Sequence, residues 1–157
     1  MVKDVLIVED NNHKRERIIT FLHETFPKCK VIEAHSFTAA CKRIAEQEFA
    51  AVLMDMSLPT YDKSATESGG RFRAFGGREL ARKIIRRSIS TKILFITQYQ
   101  SFSERGTSQT FESLDEEVRL ECGSHYIGFV HYDSSRSAWK EKITETLGCM
   151  LNETTDS

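Results

Sequence analysis

The sequence predicts an α/β fold: one five-stranded parallel sheet, doubly wound with helices on both faces, in the strand order 2-1-3-4-5. Two observations lead there. Short continuous apolar runs alternate along the chain with segments of helical apolar spacing. Three of those runs end in polar groups able to do chemistry: Glu9-Asp10, Asp55 and Thr97. A continuous apolar run suits a strand covered on both faces, which is the condition of a parallel sheet. Right-handed crossovers then leave few ways to arrange five strand–helix units.

The first strand is Val5, Leu6, Ile7 and Val8. Asn11 and Asn12 offer helix caps after it. Ile18, Phe21, Leu22 and Phe26 fall on one face of a helix, which Pro27 ends. Val31 and Ile32 form a short second strand. Ser36 caps a helix with Phe37, Ala40, Cys41 and Ile44 on one side. Residues 50–54 are the third strand, and Leu80, Ile84 and Ile85 mark a helix that begins near Gly77. Residues 93–96 are the fourth strand. A helix over 114–121 stops at Gly123, and 126–130 are the fifth strand. Trp139, Ile143, Leu147 and Leu151 recur every four residues and give the last helix. One domain over 1–151 and a polar tail over 152–157 are expected.

Two connections are too long for ordinary ones, 60–76 and 98–113, where ~2–6 residues are usual. Both are polar and rich in Ser, Thr, Gly and charge, which reads as solvated loop.

Bulk properties narrow the function. The chain has 157 residues, 39% hydrophobic and 29% charged, enough to bury one core. Lys plus Arg (22) nearly balances Asp plus Glu (23), so neither nucleic acid nor a membrane surface is the expected partner. No apolar run is long enough to span a bilayer, and the N-terminus lacks signal-peptide character. The four cysteines (Cys29, Cys41, Cys122, Cys149) form no Cys-x-x-Cys pair. They read as reduced thiols, and a cytoplasmic location is expected.

In an open α/β sheet, ligands sit beyond the carboxyl ends of the strands, where the strand order reverses. For 2-1-3-4-5 that point lies between the first and third strands, where Asp10 and Asp55 meet. Acids crowded there repel one another, and a hard divalent cation such as Mg²⁺ relieves the repulsion. Such an ion screens a carboxylate from an incoming phosphoryl group and neutralises charge during its transfer.

These residues resemble the response-regulator receiver domain of two-component signalling, a flavodoxin-like fold. The matching features are Glu9-Asp10 after the first strand and Asp55 within Val52-Leu53-Met54-Asp55-Met56-Ser57-Leu58-Pro59. Gly77-Arg78-Glu79-Leu80, Thr97 and Gly123 complete them. The resemblance implies that Asp55 accepts the phosphoryl group. It implies a Mg²⁺ site from Glu9, Asp10, Asp55 and the Ser57 backbone carbonyl, directly or through water. It implies a Thr97 hydroxyl that hydrogen-bonds a phosphoryl oxygen, and Phe129 as the switch aromatic. The donor would be a histidine kinase or phosphotransfer protein. With only the short tail after the last helix, output would pass through a partner protein. No catalysis is expected beyond phosphotransfer to Asp55 and its dephosphorylation.

The family pattern breaks in two places. Lys-Pro usually follows the fifth strand, and here Tyr132 and Asp133 align there, with His131 at the position if shifted by one. The residue after Thr97 is usually small, and here it is Gln98. A charge-assisted hydrogen bond contributes ~1.5–3 kcal/mol. Full reversal of a two-state switch takes ~5.5 kcal/mol, so the missing ammonium matters. Lys63, Arg71 or Arg73 from the first long loop are candidates to replace it. The alternative is a pseudo-receiver that binds partners without phosphorylation. Arg78, Arg82, Lys83, Arg86 and Arg87 read as a solvated helix face, or second as a docking patch. A haloacid-dehalogenase-type phosphatase is disfavoured, because Ser57 stands where its second Asp belongs. No P-loop or Gly-x-Gly-x-x-Gly run supports a nucleotide site.

Overall fold

The apolar runs assemble as one parallel sheet with its carboxyl ends along a common edge. The structure is a computed structural model and describes residues 4–64, 69–104 and 106–151. The sheet strands are β1 (Val5–Val8), β2 (Val31–Ala34), β3 (Ala51–Met54), β6 (Lys92–Thr97) and β9 (Tyr126–His131). Their order is β2-β1-β3-β6-β9, all parallel. Counting only these five, that is the expected order 2-1-3-4-5. The register pairs Val8 with Met54 and Met54 with Phe95, so Glu9, Asp55 and Ile96 follow at one level.

Five α-helices cover the two faces. They are α1 (Asn12–Thr25), α2 (Phe37–Glu46), α3 (Gly76–Arg86), α4 (Phe111–Cys122) and α5 (Ala138–Leu151). One core packs Ile18 and Leu22 of α1 and Trp139, Ile143 and Leu147 of α5 onto Val5, Ile7, Leu53, Leu94 and Ile96. The other packs Phe37, Ala40 and Ile44 of α2, Leu80 and Ile84 of α3, and Leu114 and Val118 of α4 onto Leu6, Val8, Val52, Met54 and Phe95. Alternate residues of each strand point to opposite faces, so every β1 and β3 residue is buried. A fully buried aliphatic side chain contributes about 1.5–3 kcal/mol, which makes these strands the stable centre.

The caps follow the sequence. Asn11 accepts from the Lys14 N–H, and Ser36 accepts from the Ala39 N–H. Gly123 closes α4 at φ 54°, a conformation that a side chain would strain. Helix α4 begins at Phe111, three residues before the expected start, because Thr110 and Ser113 form a reciprocal capping box.

The two long connections depart from the loop reading. The first is framed by an antiparallel hairpin, β4 (Leu58–Pro59) just before it with β5 (Phe72–Arg73) within it, and the second contains β7 (Ser101–Glu104) with β8 (Thr107–Thr110). β4 and β5 are two residues each, and β7 and β8 are largely polar, so apolar runs do not reveal them. Tertiary contacts hold them instead: the Ser57 hydroxyl donates to the Ala74 carbonyl, and Phe102 is buried against Phe75. The tail 152–157 and residues 65–68 lie outside the described residues. No described helix is long and apolar enough to cross a membrane. The four cysteines form no disulfide among the described residues.

The basic face of α3 is only partly solvated. Arg78 pairs with Glu117 and Glu121 of α4, and Arg82 pairs with Glu121. These residues lock two neighbouring helices together.

Gly77 is fixed by close approach. Its N–H donates to the Met56 carbonyl at 2.8 Å, and an added Cβ would fall 2.3 Å from the Asp55 carbonyl oxygen. Gly77→Ala is therefore expected to lower the urea-unfolding free energy by about 1–3 kcal/mol, as overpacking does. An unchanged midpoint would contradict the close approach.

Candidate functional site

The carboxyl edge of the sheet gathers its acids around one buried ammonium group. Glu9 follows β1 and is 2% exposed; Asp55 follows β3 and is 3% exposed. Lys14, in the first turn of α1, lies between them and is itself 2% exposed. Its Nζ is 2.6 Å from Glu9 Oε1 and 3.1 Å from Asp55 Oδ2. It also donates to the Ile96 carbonyl at 2.8 Å and to Gln98 Oε1 at 3.0 Å. One side chain thus joins α1 to the ends of β1, β3 and β6.

The turn after β1 sets up this geometry. The Asn11 N–H donates to Glu9 Oε2, and Asn11 Oδ1 accepts from the Lys14 N–H. Arg15 donates to the Glu9 carbonyl at 2.8 Å and to Glu33. A cation in the first turn of a helix opposes the helix dipole. The first turn of α1 carries no acidic residue, so the carboxylates of the sheet must stabilise Lys14 across the gap.

Electrostatics follow from burial. Desolvation pushes the Glu9 carboxyl up to about 7, aided by the Asp55 charge and resisted by Lys14. Burial works against the Lys14 charge as well, but the Asp55 and Glu9 charges and their hydrogen bonds outweigh it, and its pKa is raised above the ordinary lysine value.

Each anticipated residue has a definite place. Asp10, one step beyond Glu9, turns Oδ2 to Lys63 Nζ at 3.0 Å, nearer the surface. Thr97 is fully buried, and its hydroxyl accepts from the Tyr99 N–H at 3.3 Å. The Ser57 side chain is engaged with Ala74, as described above. Phe129, half-buried, packs on Phe95 with ring centroids 5.3 Å apart and edge-on to Phe111 at 4.6 Å. Tyr132 continues β9 by donating its N–H to the Thr97 carbonyl, and its ring packs on Trp139. His131 interacts with the Gln100 side chain at 2.8 Å.

The ammonium beside Asp55 belongs to α1, and neither Lys63 nor Arg73 of the first long loop pairs with Asp55 among the described contacts. Arg73 is turned to Thr60 and Glu79, with its guanidinium 4.5 Å from the Phe37 ring centroid. Arg71 is an exposed residue. Lys63 reaches Asp10 but leaves Asp55 to Lys14. Sequence reasoning missed Lys14, although a signal was present. Lys14 precedes Ile18 and Leu22 by four and eight residues, on the stripe that faces the sheet.

Among the described residues, no group of three or more His, Cys, Asp or Glu side chains is placed to hold a metal ion. Among the described residues, Asp55 Oδ1 is nevertheless buried without a hydrogen-bond partner. A buried carboxylate oxygen left open is costly unless a donor or cation meets it. The neighbouring donors are hard oxygens, so the residues fit a hard divalent cation through that atom rather than through a closed cage of acids.

No protein-family model matches the chain. It is 27% identical over 147 residues to the Detocs response regulatory protein DtcB of Enterobacter cloacae (strain JD6301), covering 90% of this chain and 98% of that one. It is 32% identical over 143 residues to the uncharacterised protein y4jR of Sinorhizobium fredii (strain NBRC 101917 / NGR234), covering 88% of this chain and 92% of that one. Among solved structures, it resembles the receiver domain of the sensor histidine kinase PA1611 from Pseudomonas aeruginosa PAO1. That domain was crystallised with a magnesium ion coordinated in its active-site cleft. The match covers 94% of this chain and 99% of that one, with a TM-score of 0.58 and 20% identity, and shows a shared fold.

The raised Glu9 pKa makes stability fall with pH. Between the ordinary 4.5 and about 7, the folded state holds a proton that the unfolded state has released. The stabilisation is complete below 4.5 and is lost as pH rises through about 7. In chelator, the urea-unfolding free energy is expected to drop on the order of 2–3 kcal/mol from pH 4.5 to 8 through this group. Glu9→Gln should remove that component; the same slope in wild type and variant would refute it.

Proposed function

We propose that this chain, which shares the receiver fold and is similar to a response regulatory protein, is a phosphorylatable receiver whose acceptor is Asp55. The observation that carries this reading is Asp55 Oδ1, buried at the sheet's switch point with no partner among the described residues. The hydrogen-bonding capacity of that oxygen is unused, while Oδ2 is held by Lys14.

In the transfer, an Asp55 carboxylate oxygen bonds to phosphorus. The bond from phosphorus to the donor's imidazole nitrogen breaks, and its electron pair stays on that ring. Water later hydrolyses the acyl phosphate and restores the carboxylate. Positioning and charge stabilisation provide most of the catalysis in such reactions. The donor is a histidine kinase or phosphotransfer protein. No catalysis beyond transfer to and release from Asp55 is proposed. Mg²⁺, held by Asp55, Asp10 and the Ser57 carbonyl with Glu9 directly or through water, would neutralise charge as the phosphoryl group arrives. Thr97 would turn its hydroxyl from Tyr99 to a phosphoryl oxygen, and Phe129 would follow that movement. The phosphorylated shape would then be read by a partner protein with higher affinity for it.

One observation favours a second reading. Lys14 already neutralises part of the charge of Glu9 and Asp55, as a site retired from phosphorylation would require. A single experiment separates the two. With acetyl phosphate and Mg²⁺, the intact mass should rise by one phosphoryl group, with no rise in Asp55→Asn and none after chelation. A wild-type protein whose mass stays constant would be a pseudo-receiver.

A further inference from the structure

We propose that Lys14 is the phosphoryl-contacting cation of this receiver, acting from the first helix in place of the lysine absent after the fifth strand. The inference rests on Asp55 being the phospho-acceptor.

Three peculiarities of the sequence meet at this one ammonium. Tyr132 stands at the expected lysine position, and its ring centroid lies 5.8 Å from Lys14 Nζ. That ring, 4% exposed, fills the space beneath the ammonium and is packed in place by Trp139. Gln98, where a small residue is usual, presents its side-chain oxygen to Nζ at 3.0 Å. Lys14 itself sits at a helix position where the dipole disfavours a cation. Each is odd alone, and together they build a seat for a positive charge beside Asp55.

The seat also allows movement. An ammonium has three protons, yet four acceptors surround this one: Glu9, Asp55, the Ile96 carbonyl and Gln98. When Asp55 carries a phosphoryl group, the added negative charge draws Nζ toward the phosphoryl oxygens. Lys14 keeps its three protons and forms no covalent bond. The Gln98 side chain is the neutral acceptor it can release. The Gln98 carbonyl lies 3.3 Å from His131 Nε2, and the His131 ring packs edge-on to Phe111 at the start of α4. Lys14 thus reports the state of Asp55 to the β6–α4 connection.

The test compares wild type, Lys14→Met and Lys14→Met/Tyr132→Lys, each treated with acetyl phosphate and Mg²⁺ and followed by intact mass. Thermal melts run alongside. Lys14→Met is expected to form the acyl phosphate roughly 10- to 100-fold more slowly, the loss of one charge-assisted hydrogen bond. Returning a lysine to position 132 is expected to recover part of that rate. If Lys14→Met does not fold, Lys14→Gln, which keeps a hydrogen-bond donor without the charge, is read in its place. Wild-type rates in a folded variant overturn the role of Lys14 and leave Asp55 as acceptor. A slowed rate that follows lost thermal stability, with no recovery from the relocated lysine, makes Lys14 structural and also overturns it. Absence of phosphorylation in wild type removes both the acceptor and the role of Lys14.

Discussion

The contact between the Lys14 ammonium and the carboxylates of Glu9 and Asp55 is the constraint around which this molecule is arranged. All three side chains are nearly free of solvent. Burying a charge costs several kcal/mol, and a buried pair recovers that only with good geometry and additional hydrogen bonds. Here the ammonium gains two neutral acceptors as well, the Ile96 carbonyl and Gln98. Removing Lys14 would leave two buried carboxylates uncompensated at the sheet edge. The group therefore fixes how α1 sits against β1, β3 and β6.

The rest of the carboxyl edge is organised by proximity to that group. Gly77 brings α3 against the Asp55–Met56 backbone, where no side chain would fit. Ser57 anchors the first hairpin, and Phe102 anchors the second. Arg78 and Arg82 then hold α4 to α3. Rigid contacts surround Asp55, while its Oδ1 stays open. Precise placement of a reacting atom by packed neighbours is what a site relying on position requires.

The receiver fold and the buried cation bear on each other. The residues that depart from the family pattern, Tyr132 and Gln98, lie against the same lysine. On the proposed reading, the charge absent at position 132 is supplied from α1. The physical requirement is a positive charge near Asp55, and several backbone positions around the pocket can deliver it.

The sequence by itself determined the five sheet strands, their order and the acids at their ends. Apolar continuity and periodicity report burial, and burial dictates which elements must form the sheet and its two covering layers. It determined the caps at Asn11, Ser36 and Gly123, because those rest on local backbone chemistry. Only the tertiary structure decided that Lys14, on the apolar stripe with Ile18 and Leu22, is the cation of the site. A lysine there reads as a surface residue until two carboxylates from separate strands are brought to its amine. The hairpins over 58–73 and 101–110 were hidden for a related reason. Their few backbone hydrogen bonds depend on anchors distant in sequence, and no local periodicity records such contacts.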